Sequence, residues 1–251
     1  MSVFPGPKTQ NSTAYAELCV TSNFTFLTGA SHPEELVARA AELGLAAIAI
    51  TDRNSLAGVV RAFSALKTLR QETEALRIRS ASRTDPSSHQ SLDPAALLPR
   101  PAAPDLPRLI IGTRLCLRDC TTEFLALPTD RPAYERLSQL LTLGKRRAGK
   151  GDCALTLDDL AAGGAGLILI ALPPPELSAA LAPLQRLQRQ FPGHVFLGAA
   201  PRYDGTDQAW FRGCADLALR ASTPMVAVGD VLMHRAARRP LADVLTCLRE
   251  G

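Results

Sequence analysis

Short runs of apolar residues alternate along this chain with longer segments in which apolar residues recur every three or four positions. The short runs are typical of buried strands, and the longer segments are typical of helices with one buried face. The runs predict seven strands, at residues 15–20, 46–50, 109–117, 123–127, 166–172, 195–199 and 225–228. The periodic segments predict helices at residues 31–43, 55–69, 132–143, 176–190, 207–221 and 240–249. Strands that alternate with helices in this way predict an α/β fold built as a β/α barrel.

The first helix carries signals for both of its ends. Ser31 and Glu34 have the spacing of a capping box, and Pro33 is tolerated in a first helical turn. Gly44 predicts where the helix stops. Its predicted buried face consists of Leu36, Val37, Ala40 and Leu43.

Residues 70–107 break the alternation of strands and helices. Residues 80–91 are polar, and residues 94–107 are rich in proline and alanine. Such composition rarely packs into a core, so we predict a mobile loop or an insertion at one rim of the barrel.

Composition favours one globular domain. The chain has 251 residues, of which 46% are hydrophobic, and this is enough for a core of barrel size. We therefore interpret residues 1–251 as a single domain. The net charge of +4 permits contact with nucleic acid, although it is also ordinary for a soluble protein.

The chain shows no signal for export or membrane insertion. No apolar run is long enough to span a bilayer, and residues 1–10 lack the apolar core of a signal peptide. Six scattered cysteines are typical of reduced thiols, so we expect a cytoplasmic protein. Cys116 and Cys120 with His234 are conceivable zinc ligands, but no second tight pair of ligands supports them.

Polar residues follow the first two predicted strands, where a parallel barrel carries its functional face. Residues 19–30 read Cys-Val-Thr-Ser-Asn-Phe-Thr-Phe-Leu-Thr-Gly-Ala, and residues 50–55 read Ile-Thr-Asp-Arg-Asn-Ser. These segments resemble the first two motifs of PHP (polymerase and histidinol phosphatase) domains, in the version fused to bacterial C-family polymerases. Residues 143–151 and 243–251 resemble the error-prone, ImuC-type (DnaE-like) branch of that family. The resemblance covers most of the chain outside residues 70–107.

The resemblance implies a distorted (β/α)7 barrel whose strand ends hold a cluster of metal ions in active members. There the ions generate a hydroxide nucleophile and neutralise a phosphate. Carried over one by one, the ligand positions of the family fall on Cys19, Thr21, Thr28, Arg53, Arg114, Glu123, Pro173, Asp230 and Leu232. Of these, Asp230 keeps its ligand type, and Cys19 and Glu123 are chemically able to bind a metal.

Two of these positions carry arginine, which stays protonated at any relevant pH and repels a divalent ion. We therefore predict a site without metal or catalytic residues. In this site Arg53 and Arg114 pair with Asp52, Asp230 or Glu123. One alternative is a weakened site in which those three carboxylates hold a single metal ion. Another alternative for the whole domain is an active metal-dependent phosphoesterase or 3'–5' exonuclease.

The resemblance also implies a longer parent protein. That parent would be a DNA-directed DNA polymerase that copies damaged DNA during repair and damage-induced mutagenesis. Its magnesium-dependent polymerase core would follow residue 251. The expected partners are that core, an ImuB-type protein and the sliding clamp, with DNA also possible and no membrane. The present chain would then have a structural or docking role and no cofactor of its own.

A dense basic run lies at Lys145, Arg146, Arg147 and Lys150. A glycine-containing basic loop is able to contact phosphates of DNA or an acidic partner surface, which makes a DNA-binding module a third hypothesis. A solvated loop explains the same residues without any function. Trp210 lies at helical spacing from Leu217, so packing in the core or at an interface is expected of it rather than base stacking.

Overall fold

The computed structural model describes residues 14–82 and 106–251, which form a barrel of two sheets flanked by helices. The first sheet is parallel, and its strands, in order, are β1 (Ala16–Val20), β2 (Ala47–Ile50) and β3 (Arg108–Ile111). The second sheet contains, in order, β4 (Thr113–Leu115), β5 (Glu123–Pro128), β6 (Leu167–Leu172), β7 (Val195–Ala199) and β8 (Met225–Ala227). In this sheet β5 runs antiparallel to β4 and β6, whereas β6, β7 and β8 are parallel.

Helices follow most of the strands and cover the outside of the barrel. The α-helices are α1 (Pro33–Glu42), α2 (Ala57–Ser82), α3 (Arg131–Arg146), α4 (Leu157–Gly163), α5 (Leu181–Gln190), α6 (Asp207–Ala221) and α7 (Arg239–Glu250). Short 3-10 turns at Leu177–Ala180 and Ala236–Arg238 precede α5 and α7. None of the helices within residues 14–82 and 106–251 is both long and apolar enough to cross a membrane.

Backbone contacts close the two sheets into a distorted barrel. Val231, beyond β8, bridges to β1: its carbonyl accepts from the Thr21 N–H at 2.9 Å, and its own N–H donates to the Cys19 carbonyl at 2.9 Å. A second bridge joins Arg53 to Arg114 across the other junction. The predicted α/β barrel is therefore confirmed. The described residues contain eight strands rather than seven, and β5 breaks the parallel pattern.

Gly112 divides the predicted strand 109–117 into β3 and β4, which belong to different sheets. A side chain has no room there, because a Cβ atom on Gly112 would lie 2.4 Å from Leu127 Cδ2 and 3.1 Å from Thr51 Cγ2. Because glycine has no side chain, the backbone can pass between these close neighbours from one sheet to the other.

We expect Gly112→Ala to lower the free energy of unfolding by about 1–3 kcal/mol, because the added methyl group overpacks this junction. Chemical denaturation of the variant measures the loss. Gly149→Ala is the matched control, since a Cβ atom there meets nothing within 4 Å. Equal stabilities of the two variants would contradict the steric argument.

Alternation along the strands separates two layers of core. On β5, Phe124 and Ala126 face the helices α3 to α6, whereas Leu125 and Leu127 face the barrel interior. The interior also receives Cys19 from β1, along with side chains from the other strands. The period of two in a strand thus explains why β5 is apolar at nearly every position.

The start of α1 differs from the prediction by one residue. His32 is the N-cap, and its N–H donates to Glu35 at 2.9 Å, so the predicted pair of Ser31 and Glu34 was wrong. Ser31 instead accepts from the backbone N–H of His234 at 3.0 Å. The predicted stop at Gly44 is confirmed by its left-handed backbone, with a φ of 66°.

Other boundaries also depart from the sequence predictions. Helix α2 continues to Ser82, so the predicted irregular segment was wrong for residues 70–82. Within the rest of that predicted insertion, residues 83–105 lie outside the described residues, whereas Leu106 is described and packs against the core beside β2. Helix α4 was missed, although Thr156 and Asp159 form a capping box at its start. Leu43, predicted to be buried, is 54% exposed.

Candidate functional site at the barrel mouth

The barrel mouth gathers the ends of several strands. Because β5 runs antiparallel to its neighbours, its first residue, Glu123, lies at the same edge as the residues that follow β1, β2 and β8. The sequence left the direction of this strand open, and the hairpin between β4 and β5 decides it. Cys19, Arg53, Arg114, Glu123 and Asp230 consequently contact one another in one network.

Arg114 is the centre of this network and is only 8% exposed. Its Nη2 donates to Asp230 and, at 2.9 Å, to the Cys19 sulfur, and its Nη1 lies 3.5 Å from Glu123 Oε2. Burial disfavours the charged guanidinium, but the groups around it outweigh burial, so the pKa of Arg114 lies above its ordinary value. Arg114 therefore stays charged although water has little access to its side chain.

Arg53 forms the outer half of the network. Its Nη2 donates to Glu123 Oε1 at 2.7 Å, and its Nε donates to the Cys116 sulfur at 3.1 Å. Glu123 thus contacts two guanidinium groups. The side chain of Arg53 is 45% exposed, so solvent screens this pair more than the pairs of Arg114.

Asp52 has different partners from those expected. It is buried and accepts from the Ser22 N–H at 2.8 Å, the Ser22 hydroxyl at 2.8 Å and the Thr25 hydroxyl at 2.9 Å. Burial raises the pKa of Asp52 above its ordinary value, although these donors oppose the shift. Of the three carboxylates predicted as alternative partners, Glu123 and Asp230 therefore pair with the arginines, whereas the side chain of Asp52 binds Ser22 and Thr25 instead.

Cys116, which the sequence offers only as a conceivable zinc ligand, belongs to the network. Its thiol lies 3.2 Å from Glu123 Oε1, and burial followed by the nearby carboxylate raises the pKa of Cys116 to about 12. Its spacing from Arg114 is the available signal in the sequence, because residues two positions apart lie on the same face of a strand.

The other predicted ligand positions are spread around the mouth. Thr21 is fully buried, with no hydrogen-bond partner for its hydroxyl among the described residues. Thr28 lies away from the network, where its hydroxyl accepts from Arg249 at 3.2 Å. Pro173 lines the cleft beside the network, and the carbonyl of Leu232 accepts from the Ala30 N–H at 2.8 Å.

A cleft of about 540 Å³ opens beside Arg114, Glu123 and Asp230. On its far wall the guanidinium of Arg202 lies 4.8 Å from the ring centre of Trp210. The indole N–H of Trp210 donates to the Ala200 carbonyl at 3.1 Å, and the ring packs against the core. The packing role predicted for Trp210 is confirmed.

The donor set at the mouth does not fit the metal cluster of the family. Glu123 and Asp230 already bind guanidinium groups, and burial raises the pKa of the Cys19 thiol, which disfavours the thiolate that binds metals. Within residues 14–82 and 106–251, no three His, Cys, Asp or Glu side chains are grouped so that they could hold a metal ion. That geometry offers no support for a single ion held by Asp52, Glu123 and Asp230.

His234 lies apart from Cys116 and Cys120, so the conceivable zinc site does not form among the described residues. Its Nδ1 is 2.8 Å from the Ser31 hydroxyl and 3.8 Å from Glu35 Oε2. Both groups approach the same ring nitrogen, whereas a catalytic relay needs one partner on each nitrogen. This cluster therefore joins the segment before α7 to α1 and has no catalytic geometry.

The basic run is only partly a loop. Lys145 and Arg146 lie in the last turn of α3, and Arg147 is its C-cap and binds Asp159 at 2.7 Å. Lys150 follows in the loop, and all four side chains are exposed. Cations in the last turn also stabilise the negative end of the helix dipole, which gives Lys145 and Arg146 a structural role.

Comparison with known proteins relates this barrel to one family. The family model described as the PHP domain matches residues 17–184. The chain is 70% identical over 237 residues to an error-prone DNA polymerase of Ruegeria pomeroyi, a match that covers 94% of this chain and 22% of the relative. It is 43% identical over 239 residues to an error-prone DNA polymerase of Rhodopseudomonas palustris, which covers 94% of this chain and 19% of that relative. The chain thus spans about a fifth of the length of these curated relatives.

Two solved structures share the fold at low identity. One is a putative metal-dependent phosphoesterase from Bifidobacterium adolescentis, with a TM-score of 0.53, 14% identity and 89% of each chain covered. The other is an amidohydrolase from Chromobacterium violaceum, with a TM-score of 0.50, 15% identity and 88% of each chain covered. At such identities the likeness concerns the fold alone.

Proposed function

The chain belongs to the PHP domain family, and we propose that it is a catalytically inactive member with a structural role in an error-prone DNA polymerase. In this role the barrel supports the polymerase core or offers it a docking surface. It performs no hydrolysis of its own and needs no metal cofactor.

The observation that carries this proposal is the position of Arg114. Its buried guanidinium contacts Asp230, Glu123 and Cys19, which are the groups best suited to bind a metal at this mouth. A fixed positive charge there satisfies the carboxylates and repels a divalent ion. Without the ion, the site lacks the means to lower the pKa of a water molecule or to neutralise a phosphate.

The proposal extends to the parent protein, because the curated relatives are named error-prone DNA polymerases. The parent would carry out DNA-directed DNA synthesis across damaged template, with magnesium bound in its polymerase core. An ImuB-type protein and the sliding clamp are its proposed partners, in the cytoplasm. DNA contact by the present chain would involve the exposed basic run that begins at Lys145.

Metal analysis tests the loss of chemistry directly. We expect the chain, after incubation with zinc or manganese and removal of free ions, to retain far less than one ion per molecule by mass spectrometry. We also expect no 3'–5' exonuclease activity on primed DNA and no phosphoesterase activity that a chelator abolishes. Stoichiometric metal together with chelator-sensitive activity would overturn the proposal in favour of an active phosphoesterase or exonuclease.

A further inference from the structure

The apolar side of helix α7 has little covering it. Leu241, Val244, Leu245 and Leu248 follow the spacing of one helical face, which is called the α7 face below. Leu241 is 40% exposed, Val244 55% and Leu248 64%, and Ala242 is the buried residue of the helix. Apart from the 3-10 turn that leads directly into it, α7 has only slight contact with the other described helices and strands.

A groove of about 300 Å³ continues the α7 face towards the loop after β1. Leu241 and Leu245 form one wall, and Phe26, which is 83% exposed, lies on the other. Arg249 joins the two walls, because its Nη1 donates to the Leu27 carbonyl at 3.3 Å. The loop and the helix therefore present one connected apolar surface.

An exposed apolar surface of this kind is stabilised when another protein surface packs on it. A helix of 12 residues draws most of its stability from burial of its apolar face rather than from its own hydrogen bonds. A connected apolar surface that solvent reaches marks a site of interaction with another protein surface. Its rim carries Arg238 and Arg249, which already pair with Glu35 and Glu250, so the apolar centre rather than the charged edge defines the matching surface.

We propose that the α7 face and Phe26 form the surface on which the remainder of the polymerase polypeptide packs. This rests on the proposed function, in which the chain is one domain of such a polymerase. The relative from Ruegeria pomeroyi has only 22% of its length in the match, so more than three quarters of that polypeptide lies elsewhere. A surface in the same polypeptide meets the α7 face at a high effective concentration, which favours it over a second copy of the protein.

The test uses the complete product of the gene that encodes this chain. We expect Val244→Asp with Leu248→Asp to accelerate protease cleavage between the barrel and the remainder, and hydrogen exchange of α7, by about tenfold or more. The matched control is Leu219→Asp on α6, which is 78% exposed and outside the α7 face. The control is expected to leave both rates unchanged.

Three results would overturn this proposal. One is equal rates for the double variant and the Leu219→Asp control, and another is a gene product that contains no further domain. The third is a dimer of the complete product that the double variant converts to a monomer, since a second copy then covers the α7 face. Hydrogen exchange of the barrel strands at the rates of the unmodified protein shows that the barrel of the double variant still folds. The metal analysis tests the proposed function separately from this docking surface. A metal-loaded active barrel would overturn the proposed loss of chemistry, whereas the cleavage and exchange rates would still follow the docking proposal.

Discussion

Arg114→Met is expected to lower the free energy of unfolding by about 3 kcal/mol, at the lower end of the range for removing one partner of a buried ion pair. The methionine keeps much of the apolar stem, so the loss reports the guanidinium rather than a cavity. Asp230 and Glu123 would lose the charge that balances them at a poorly solvated mouth. The figure is not larger because the Asp230 side chain is 43% exposed and is hydrated in part once the arginine is gone. Denaturant unfolding at neutral pH measures this loss in the free energy of unfolding.

Arg53→Met is the matched control for this prediction. Arg53 contacts the same Glu123, but its side chain is 45% exposed, so we expect a loss of only about 0.2–1 kcal/mol. Adding Glu123→Gln and Asp230→Asn to Arg114→Met is expected to recover part of the stability, because the unbalanced charges are removed. Equal losses for the two arginine variants, or no recovery in the triple variant, would contradict the central role assigned to Arg114.

Asp52→Ala is expected to cost a comparable amount, about 3–5 kcal/mol, because each buried donor that loses its acceptor costs about 1–3 kcal/mol. Three donors depend on Asp52, namely the backbone and hydroxyl of Ser22 and the hydroxyl of Thr25. The loss should also free the loop after β1, which hydrogen exchange at Ser22 and Thr25 detects. Unfolding of the variant in denaturant gives the free energy.

Asp52→Asn separates hydrogen bonding from charge. The amide keeps an acceptor oxygen for the Ser22 N–H, and the Ser22 hydroxyl can rotate to accept from the amide, so we expect a smaller loss than for alanine. Burial raises the pKa of Asp52 in the folded state, so the native protein carries a penalty for the ionised form. The stability of the wild type relative to Asp52→Asn should therefore fall as the pH rises from the ordinary value of 3.8 through the raised value. A pH-independent difference would show that burial does not perturb this carboxyl group.

Local periodicity was sufficient for most of the barrel elements. The apolar run of β2 and the one-sided pattern of α6 each specify which side chains are buried, and burial is the main source of stability for both. Prediction was poorest where the backbone changes partner within a continuous run of strand-forming residues. At Gly112 the chain leaves one sheet for the other, and no periodic signal marks that change because the β-branched residues Ile111 and Thr113 on either side both favour a strand.

In the candidate site, too, residue type was predictable from the sequence and contacts between distant residues were not. Once the resemblance had placed Arg53 and Arg114 at ligand positions, their residue type predicted positive charge there, since a guanidinium keeps its charge in any fold. The choice among Asp52, Glu123 and Asp230 as partners was not predictable, because Arg114 and Asp230 are 116 residues apart. The place of Cys116 in the network depends on the direction of β5, which brings Glu123 to its thiol.

By itself, the sequence determined most of the elements of this protein and predicted guanidinium groups at its barrel mouth, because both depend on residue type and on local spacing. The tertiary structure alone decided that β5 runs antiparallel, so that Glu123 reaches the mouth. It also decided that Asp52 binds hydroxyl groups instead of arginine, and that the apolar side of α7 stays exposed. These outcomes depend on which distant segments meet when the barrel closes, and closure is a property of the whole fold rather than of any one segment.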